Sequence, residues 1–404
     1  MSQIDFESFD LFHPTEEHEL LRQTVRSFVQ SEVEPQAMEH DRNERFNRNL
    51  FLKLGDLGLL GITVPEQFGG SHMDALAVAI VHEEISASDP GFCLAYLAHA
   101  LLCANNIAQN ASDEQCSKFL PKLCTGEWIG AMGMSEADAG TDVLGMKTNA
   151  VREGDDYVVS GRKMWITNGT LDEGTTPCDC MLFYATTGSD EHGKPVLSSF
   201  VVEGAFDGFS VGQKITDKLG MRASNTAELC FDHCHIPASH RLGEEGEALH
   251  HMMRNLEIER LGLAAMSLGI AKRSLQVMVD YANERKAFGK RLNTFGQIQR
   301  HIADSFAEYQ AARAYVYDTA RRLSLQSGGS RLDSDGVKLI AGPIGKRVAD
   351  RAIQVLGGNG YVGQYVVERL WRDSKLLEIG GGTLEAHQKN ITKDLTKHAA
   401  SVLS

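Results

Sequence analysis

The chain has 404 residues, of which 42% are hydrophobic and 23% are charged, and its formal net charge is −14. This composition is typical of a soluble globular protein, and the length allows two or three domains. The negative balance argues against nucleic acid, whose phosphates are bound by Lys and Arg, and against an anionic membrane surface as a steady partner.

The first twenty residues are acidic, lack Arg, and contain no basic segment followed by an apolar core. They predict neither a secretory signal nor a transit peptide. No apolar run reaches the roughly 18 residues that indicate a membrane span. We expect a bacterial cytoplasmic protein, or a mitochondrial matrix protein if the chain is eukaryotic and already processed.

The hydrophobic periodicity changes twice along the chain, from helical to β and back to helical. Short β-branched and aromatic runs predict strands at 156–160, 181–185, 198–203 and 227–231. Long helices are predicted over 246–286, 294–327 and 335–356, with the Ser- and Gly-rich stretch 324–330 as a connection between helices. We therefore predict an α+β multidomain protein, with an N-terminal all-α domain over 1–126, a middle β-barrel or sheet domain over 127–243, and a C-terminal helical bundle over 244–404.

Eight cysteines are scattered along the chain, mostly in apolar or helical surroundings. Such thiols are typical of a reducing compartment. The group formed by Cys178, Cys180, Cys230, Cys234 and His235 matches no usual zinc spacing, so no metal site is predicted.

The segment 358–363 matches G-x-G-x-x-G but follows a helical stretch. A dinucleotide site requires this pattern between a strand and a helix, so we reject that interpretation. The segment stays a candidate glycine-rich loop for another ligand.

Two short segments of the β region carry small, hydroxyl and aromatic residues that suit a flat ligand. Residues 131–142 combine small side chains with Ser135 and Thr141, and Trp165 precedes Thr167 and an Asn-Gly pair. Taken alone, a surface loop and a core Trp in a hairpin are the favoured interpretations of these two segments.

Three consecutive glycines, 380–382, indicate backbone that approaches a ligand or takes a positive φ. A separate candidate site lies in the helix that contains Glu257, Glu259 and Arg260, which continues into a segment that is apolar on nearly every face and therefore predicted to be buried. The two carboxylates point to different faces. One can pair with Arg254 or Arg260 while the other faces a pocket, and from the helix alone a structural ion pair is favoured.

Taken together, these motifs resemble the acyl-CoA dehydrogenase family over essentially the whole chain. The matching segments are 65–70, 134–142, 165–167, 219–226, 284–289, 354–361, 372–373 and 382–383. The Leu-Gly-Met-Arg-x-Ser-Asn-Thr run, the Ile-Glu-Arg helix and the Glu-Ile-Gly-x-Gly-Thr loop are most similar to the isovaleryl-CoA branch of the family. The resemblance implies a C-terminal four-helix bundle and a homotetramer, a dimer of dimers, with FAD bound between subunits.

The resemblance also implies which residues hold the ligands. The expected FAD contacts are Met132, Met134, Ser135, Thr141, Trp165, Ile166, Thr167, Arg285, Phe288, Gln297, Gln354, Gly357, Gly358, Thr383 and Glu385. Arg285 and residues 354–358 are expected to act from a neighbouring subunit. The expected substrate contacts are Thr141, Glu257, Arg260, Gly380, Gly381 and Gly382.

Two departures from the family pattern affect the expected chemistry. The family commonly has Phe-Gln where this chain has Phe295, Gly296 and Gln297, so either Gln297 replaces that contact or the contact is lost. Straight-chain members carry a catalytic Glu at the position that is Gly381 here. The resemblance to the isovaleryl and long-chain branches makes Glu259 the expected base, with the N–H of Gly381 stabilising the thioester oxygen.

The function implied is FAD-dependent dehydrogenation of isovaleryl-CoA to 3-methylcrotonyl-CoA in leucine breakdown, with electrons passed to electron-transfer flavoprotein. One alternative is the same reaction on a longer or terpenoid branched chain such as citronellyl-CoA. Others are an acyl-CoA oxidase or flavin monooxygenase that uses O2, and a non-catalytic acyl-CoA scaffold, against which the presence of Trp165, Thr167 and Glu259 argues.

Overall fold

The N-terminal region is helical from Glu16 onwards in a computed structural model that describes the backbone of residues 10–402. Side chains of Thr15, Asp74 and Ser112 accept hydrogen bonds from backbone N–H groups and so begin three of the helices. The seven helices are α1 Glu16–Phe28, α2 Glu34–Arg42, α3 Arg48–Asp56, α4 Ala75–Ser86, α5 Pro90–Leu97, α6 Asn106–Asn110 and α7 Asp113–Thr125.

Helices α5 and α6 are joined by a π-helical stretch, Ala98–Asn105, into one continuous helix, Pro90–Asn110. By length and composition this helix is apolar enough to cross a membrane, and it is the one such helix found in the described part of the chain. Its most apolar window is 89% buried inside the protein, which is the environment of a core helix.

The middle region is an eight-stranded sheet. Its strands are β1 Gly130–Gly133, β2 Asn149–Glu153, β3 Asp156–Thr167, β4 Cys180–Ser189, β5 Pro195–Glu203, β6 Phe209–Lys214, β7 Thr226–Pro237 and β8 Arg241–Leu242. They lie in the order β6-β7-β3-β2-β4-β5-β8, and β1 pairs in parallel with β4. All four predicted strand segments fall within these strands, although β3 and β7 extend well beyond the predicted limits.

The C-terminal region is built on four long helices: α8 Ala248–Glu284, α9 Gly296–Arg322, α10 Arg331–Leu356 and α13 Leu384–Val402. The strands β9 Lys286–Ala287 and β10 Lys290–Arg291 form a hairpin after α8, and the short helices α11 Gly358–Tyr361 and α12 Val367–Ser374 follow α10. The predicted helical–β–helical architecture with a C-terminal bundle is therefore confirmed.

Some predicted element limits in the C-terminal region were wrong. Helix α9 ends at Arg322 and not at 327, and α10 begins at Arg331, because Glu257 accepts hydrogen bonds from the N–H groups of Gly329 and Ser330 just before it. The candidate glycine-rich loop 358–363 includes the single turn α11. The helical run after it breaks into α12 and a 3₁₀ turn, Lys375–Glu378, which leads into the glycines 380–382.

Helix α8 lies at the centre of the molecule, because it packs against α4 of the N-terminal region and against α9 and α10 of its own. One continuous cluster of buried apolar side chains joins these helices, including Leu261, Leu263 and Leu268 of α8. Polar residues on the middle of α8 are therefore shielded from water, and they must either be paired within the protein or take part in its function.

The junction between the helical regions predicts a large effect of one buried arginine. Arg369 on α12 is 2% exposed, donates to the Ser88 carbonyl at 2.7 Å and lies 3.7 Å from Asp89. We expect Arg369→Ala to lower the free energy of unfolding by about 3–5 kcal/mol, because Asp89 is then left buried without its counter-charge. Urea unfolding would measure this, with Arg300→Ala as a control.

Arg300 is a suitable control because its side chain is 81% exposed and its ion pair with Asp304 is a surface pair. Its replacement should change stability by less than about 1 kcal/mol. Equal effects of the two replacements would contradict the importance assigned to the buried pair.

Candidate active site

The buried middle of α8 carries a carboxylate with one buried oxygen that has no hydrogen-bond partner. Glu259 is 6% exposed, and its Oε2 has no hydrogen-bond partner among the described residues. Burial raises the pKa of Glu259 to about 7, although the positive charges of Arg260 and Lys338 oppose this increase. A carboxylate with such a pKa can hold or release a proton near neutral pH, as a general base must.

The glycines after α12 bring backbone against this carboxylate. Gly381 and Gly382 have φ values of +67° and +104°, which residues with side chains rarely adopt. A Cβ built on Gly381 would lie 3.3 Å from Glu259 Oε1 and would collide with Leu263. The absence of a side chain at 381 therefore leaves the space that Glu259 faces.

The N–H of Gly381 is available to a ligand. Within residues 10–402 it meets no acceptor, whereas the preceding N–H of Gly380 donates to the Leu376 carbonyl at 2.8 Å. The structure thus brings together the two residues predicted to be catalytic, Glu259 as a carboxylate and Gly381 as a backbone donor.

Four side chains lie under the glycines. Arg260 was predicted as a substrate contact, whereas Asp335, Lys338 and His387 were not predicted from the sequence. Arg260 faces the Gly381 carbonyl at 3.5 Å and the Asp335 carboxylate at 3.2 Å. His387 contacts Asp335 at 2.6 Å through Nδ1 and the Gly382 carbonyl at 3.0 Å through Nε2. Lys338 donates to the Leu377 carbonyl, and burial lowers its pKa to about 8. Asp335 and Lys338 share one face of α10 at i and i+3, which is the pattern that sequence analysis had available for finding them.

A second group of predicted residues lies where β1 meets β3. The Ser135 carbonyl accepts from the Met164 N–H at 2.9 Å, and the buried Lys163 binds Glu136 at 2.9 Å, so the segment after β1 is fixed along β3. Trp165 follows at a β-bulge with φ +60° and is 56% exposed. The pattern-based interpretation of Trp165 as a core residue was wrong, because the bulge turns the indole outward.

This exposed indole has the chemistry expected of a surface that binds a planar ring. Trp165 is flanked by the partly exposed Thr167, and Met132 and Met134 on the neighbouring segment are also partly exposed. An exposed Trp held at a strained φ is typical of a ligand site. The residues present therefore fit a flat heterocycle such as a flavin. The side chain of Ile166 is buried in the sheet core, and that of Thr141 is exposed.

Six further predicted cofactor residues lie at the end of α8 that is opposite Glu259. Arg285 ends that helix, 26 residues after Glu259, which corresponds to about 39 Å at 1.5 Å per residue. The ends of α8 and α10 and the start of α9 pack together there. All six predicted residues at this end are exposed, namely Arg285, Phe288, Gln297, Gln354, Gly357 and Gly358. These residues are too far away to complete the Glu259 site of their own chain.

Three further predicted contacts have other roles in the structure or point to solvent. Both oxygens of Glu257 accept backbone N–H groups before α10, at 3.2 and 2.8 Å. Thr383 accepts from the Ala386 N–H at 3.3 Å and so begins α13, and Glu385 is exposed. Their contacts with substrate or cofactor stay predictions. Among the described residues, no group of three or more His, Cys, Asp and Glu could hold a metal ion.

The chain matches three family models in succession. The models describe the N-terminal, middle and C-terminal domains of acyl-CoA dehydrogenases, and they match residues 15–127, 131–234 and 246–396. The chain therefore belongs to the acyl-CoA dehydrogenase family, which is a flavoprotein family, and it is an oxidoreductase that acts on CH–CH bonds.

Relatives named for different substrates match almost the full length of the chain. Isovaleryl-CoA dehydrogenase of Bos taurus is 42% identical over 92% of this chain and 86% of its own. A short-chain acyl-CoA dehydrogenase of Clostridium acetobutylicum is 38% identical over 93% of this chain and 97% of its own. The structure of butyryl-CoA dehydrogenase from Megasphaera elsdenii superimposes with a TM-score of 0.90 at 33% identity, covering 96% of this chain and 100% of that one.

The raised pKa of Glu259 predicts a pH-dependent effect of Glu259→Gln on stability. Because its pKa is 4.5 when unperturbed and about 7 when folded, the stability contributed by the protonated form is complete below pH 4.5 and is lost as the pH rises through 7. We expect the free energy of unfolding of the variant, measured relative to that of the wild type, to rise by up to about 3 kcal/mol between about pH 5 and pH 8.

Urea unfolding at the two pH values would measure this gain. Glu191→Gln is the control, because Glu191 has a side chain that is 87% exposed and should give the same difference at both pH values. A constant difference for Glu259→Gln as well would show that Glu259 is ionised normally in the folded protein.

The glycine geometry predicts that Gly381 tolerates no side chain. We expect Gly381→Ala to lower the free energy of unfolding by about 1–3 kcal/mol, because of the collision with Leu263 and the strain at positive φ. Acyl-CoA turnover should fall at least about tenfold, since the added methyl group occupies space beside Glu259. Gly188→Ala is the control, because a Cβ there meets nothing within 4 Å. Unchanged turnover in Gly381→Ala would place the substrate elsewhere.

Proposed function

We propose that this enzyme removes the α and β hydrogens of a short branched acyl-CoA, converting isovaleryl-CoA to 3-methylcrotonyl-CoA. The observation that carries the proposal is the buried Glu259 carboxylate beside Gly381, which has no side chain. The site thus offers a base on the helix side and open space with a free N–H on the loop side. The similarity to isovaleryl-CoA dehydrogenase supports the choice of substrate.

Glu259 is the group that takes the proton from Cα. Its neighbours favour this role, because burial makes the carboxylate a stronger base while Arg260 and Lys338 keep part of it ionised. As the proton leaves, negative charge develops on the thioester oxygen. The N–H of Gly381 is positioned on the loop to stabilise that charge.

The glycines also explain why a branch at Cβ would be accepted. No Cβ projects from 380, 381 or 382, so the loop side of the cavity is lined by backbone alone. Leu263 bounds the space from α8. A straight chain would leave part of this space unfilled, and unfilled apolar space costs binding energy.

The cofactor in this proposal is FAD, which supplies an acceptor for the hydride that leaves Cβ. Trp165, Thr167, Ser135, Met132 and Met134 would hold its ring. The distance of about 39 Å along α8 supports a role for Arg285 and Gln354 at the FAD of another subunit in a homotetramer. Electron-transfer flavoprotein is the proposed electron acceptor, in keeping with the family.

The base assignment predicts that Glu259→Gln still binds acyl-CoA but loses flavin reduction. We expect the rate of anaerobic flavin bleaching by isovaleryl-CoA to fall about a hundredfold to ten-thousandfold, which is the contribution of a general base. Retained bleaching would show that another group is the base. A purified wild type without flavin absorbance would contradict the cofactor assignment itself.

Steady-state turnover with a dye as electron acceptor separates the candidate substrates. On wild type, isovaleryl-CoA should give a higher kcat/KM than butyryl-, octanoyl- and citronellyl-CoA. Butyryl-CoA is the strongest competitor, because relatives described as butyryl-CoA and short-chain enzymes match equally completely. An equal or higher value for butyryl- or octanoyl-CoA would overturn the branched-chain assignment, and peroxide release that matches dye reduction would favour an oxidase.

A further inference from the structure

A buried network behind the glycines holds their carbonyl groups. Arg260 of α8, Asp335 of α10 and His387 of α13 are each at most 5% exposed. Arg260 faces the Gly381 carbonyl, and His387 faces the Gly382 carbonyl at 3.0 Å. Asp335 lies between these two side chains, 3.2 Å from Arg260 and 2.6 Å from His387. Three separate helices therefore converge on two consecutive peptide groups.

The partners of His387 determine the orientation of its ring. The carboxylate of Asp335 lies 2.6 Å from Nδ1 of His387 and 3.2 Å from the Arg260 guanidinium. The Gly382 carbonyl is an acceptor, so Nε2 of His387 donates to it at 3.0 Å. The imidazole is therefore held between a carboxylate on one side and a glycine carbonyl on the other.

We propose that Asp335 and His387 are positioning residues, which fix the glycine backbone so that its N–H groups remain directed at the thioester oxygen of the substrate. This inference rests on the proposed function, because it assumes that an acyl-CoA carbonyl lies at Gly381. It extends that function by identifying what keeps three glycines in a single conformation.

The geometry of the peptide groups shows how the restraint operates. Each peptide is planar, so the held carbonyls of Gly381 and Gly382 directly fix the N–H groups of Gly382 and Thr383. The N–H of Gly381 belongs to the peptide before these, and its direction is limited by the held groups on both sides. The peptide that carries the N–H of Gly381 is preceded by a held group, since the Gly380 N–H donates to Leu376 at 2.8 Å. It is followed by two held carbonyls, those of Gly381 and Gly382. Without these anchors, glycine peptides have the freedom to rotate away.

The charges around the network also favour the reaction. The groups that face His387 and the loop are Glu259 and Arg260 from α8, and Asp335 and Lys338 from α10. The Arg260 guanidinium contacts the Gly381 carbonyl, so its positive charge lies beside the loop where the negative charge of the thioester oxygen develops.

A binding experiment tests the proposal without relying on turnover. The holoenzyme is titrated with isovaleryl-CoA under anaerobic conditions in the Glu259→Gln background, and with the matching S-alkyl-CoA thioether, which lacks the carbonyl oxygen. The ratio of the two dissociation constants measures recognition of that oxygen. We expect His387→Ala to reduce the thioester preference about tenfold, which corresponds to one hydrogen bond of ordinary strength.

Two further variants separate positioning from a general loss of structure. His387→Gln keeps an N–H donor for the Gly382 carbonyl and should retain the preference within about threefold. Asp335→Asn keeps the volume but replaces the carboxylate that contacts Nδ1 of His387, and should lose preference to an intermediate degree. Gln388→Ala, at the exposed neighbouring residue of α13, is the control and should match its parent.

A second readout follows proton transfer alone. Acetyl-CoA has no β hydrogen and cannot be dehydrogenated, yet its α protons can exchange with D2O at the base, as NMR would show. In the otherwise wild-type holoenzyme, His387→Ala should slow this exchange about tenfold, and His387→Gln should restore most of it.

The outcomes distinguish this proposal from the one it rests on. If His387→Ala weakens thioester and thioether equally, or leaves exchange unchanged, the positioning role is overturned while the proposed function stands. If the parent protein shows no preference for the thioester and the wild type does not exchange the protons of acetyl-CoA, the proposed function fails, and this inference fails with it.

Discussion

The close approach of α8 to the glycines after α12 is the contact on which the site depends. Helix α8 is buried among three other helices, so its position is set by packing over its whole length and not by the site. Because Gly381 has no side chain, the backbone there can lie next to Glu259 and Leu263. The same contact buries the carboxylate, which raises its pKa.

Burying a carboxylate in the core is costly, and the surrounding network shows how the fold accommodates it. Burial raises the pKa of Glu259, and the positive charges of Arg260 and Lys338 oppose this increase, but neither of these side chains forms a hydrogen bond to Oε2 of Glu259. Each of them instead donates to a carbonyl at the end of the segment that follows α12. The cations therefore serve both the carboxylate and the loop, which couples the position of the base to the position of the backbone donors.

The architecture was predictable from the sequence, and so was the choice of Glu259 as the candidate base, whereas the support of the loop was not. Periodicity is a local property, so the helical–β–helical order and the bundle followed from it. Glu259 followed from the absence of an acid at 381, through the resemblance. Asp335 and His387 lie in helices with many polar residues, and only the packing of α10 and α13 against the glycines shows that they are buried. For Trp165 the pattern failed, because a bulge changes which face a residue occupies.

A base on α8 and a base on the loop are alternative solutions to one geometric problem. The reaction requires a carboxylate near Cα of the substrate, and a Cβ at 381 would lie only 3.3 Å from Glu259 Oε1, so either position can serve the same point in space. A helix in the core is the more rigid support, since its neighbours fix its backbone. When the base lies on α8, residue 381 has no side chain that could anchor the loop. Three glycines then need restraint from behind, which is the position that Arg260, Asp335 and His387 occupy.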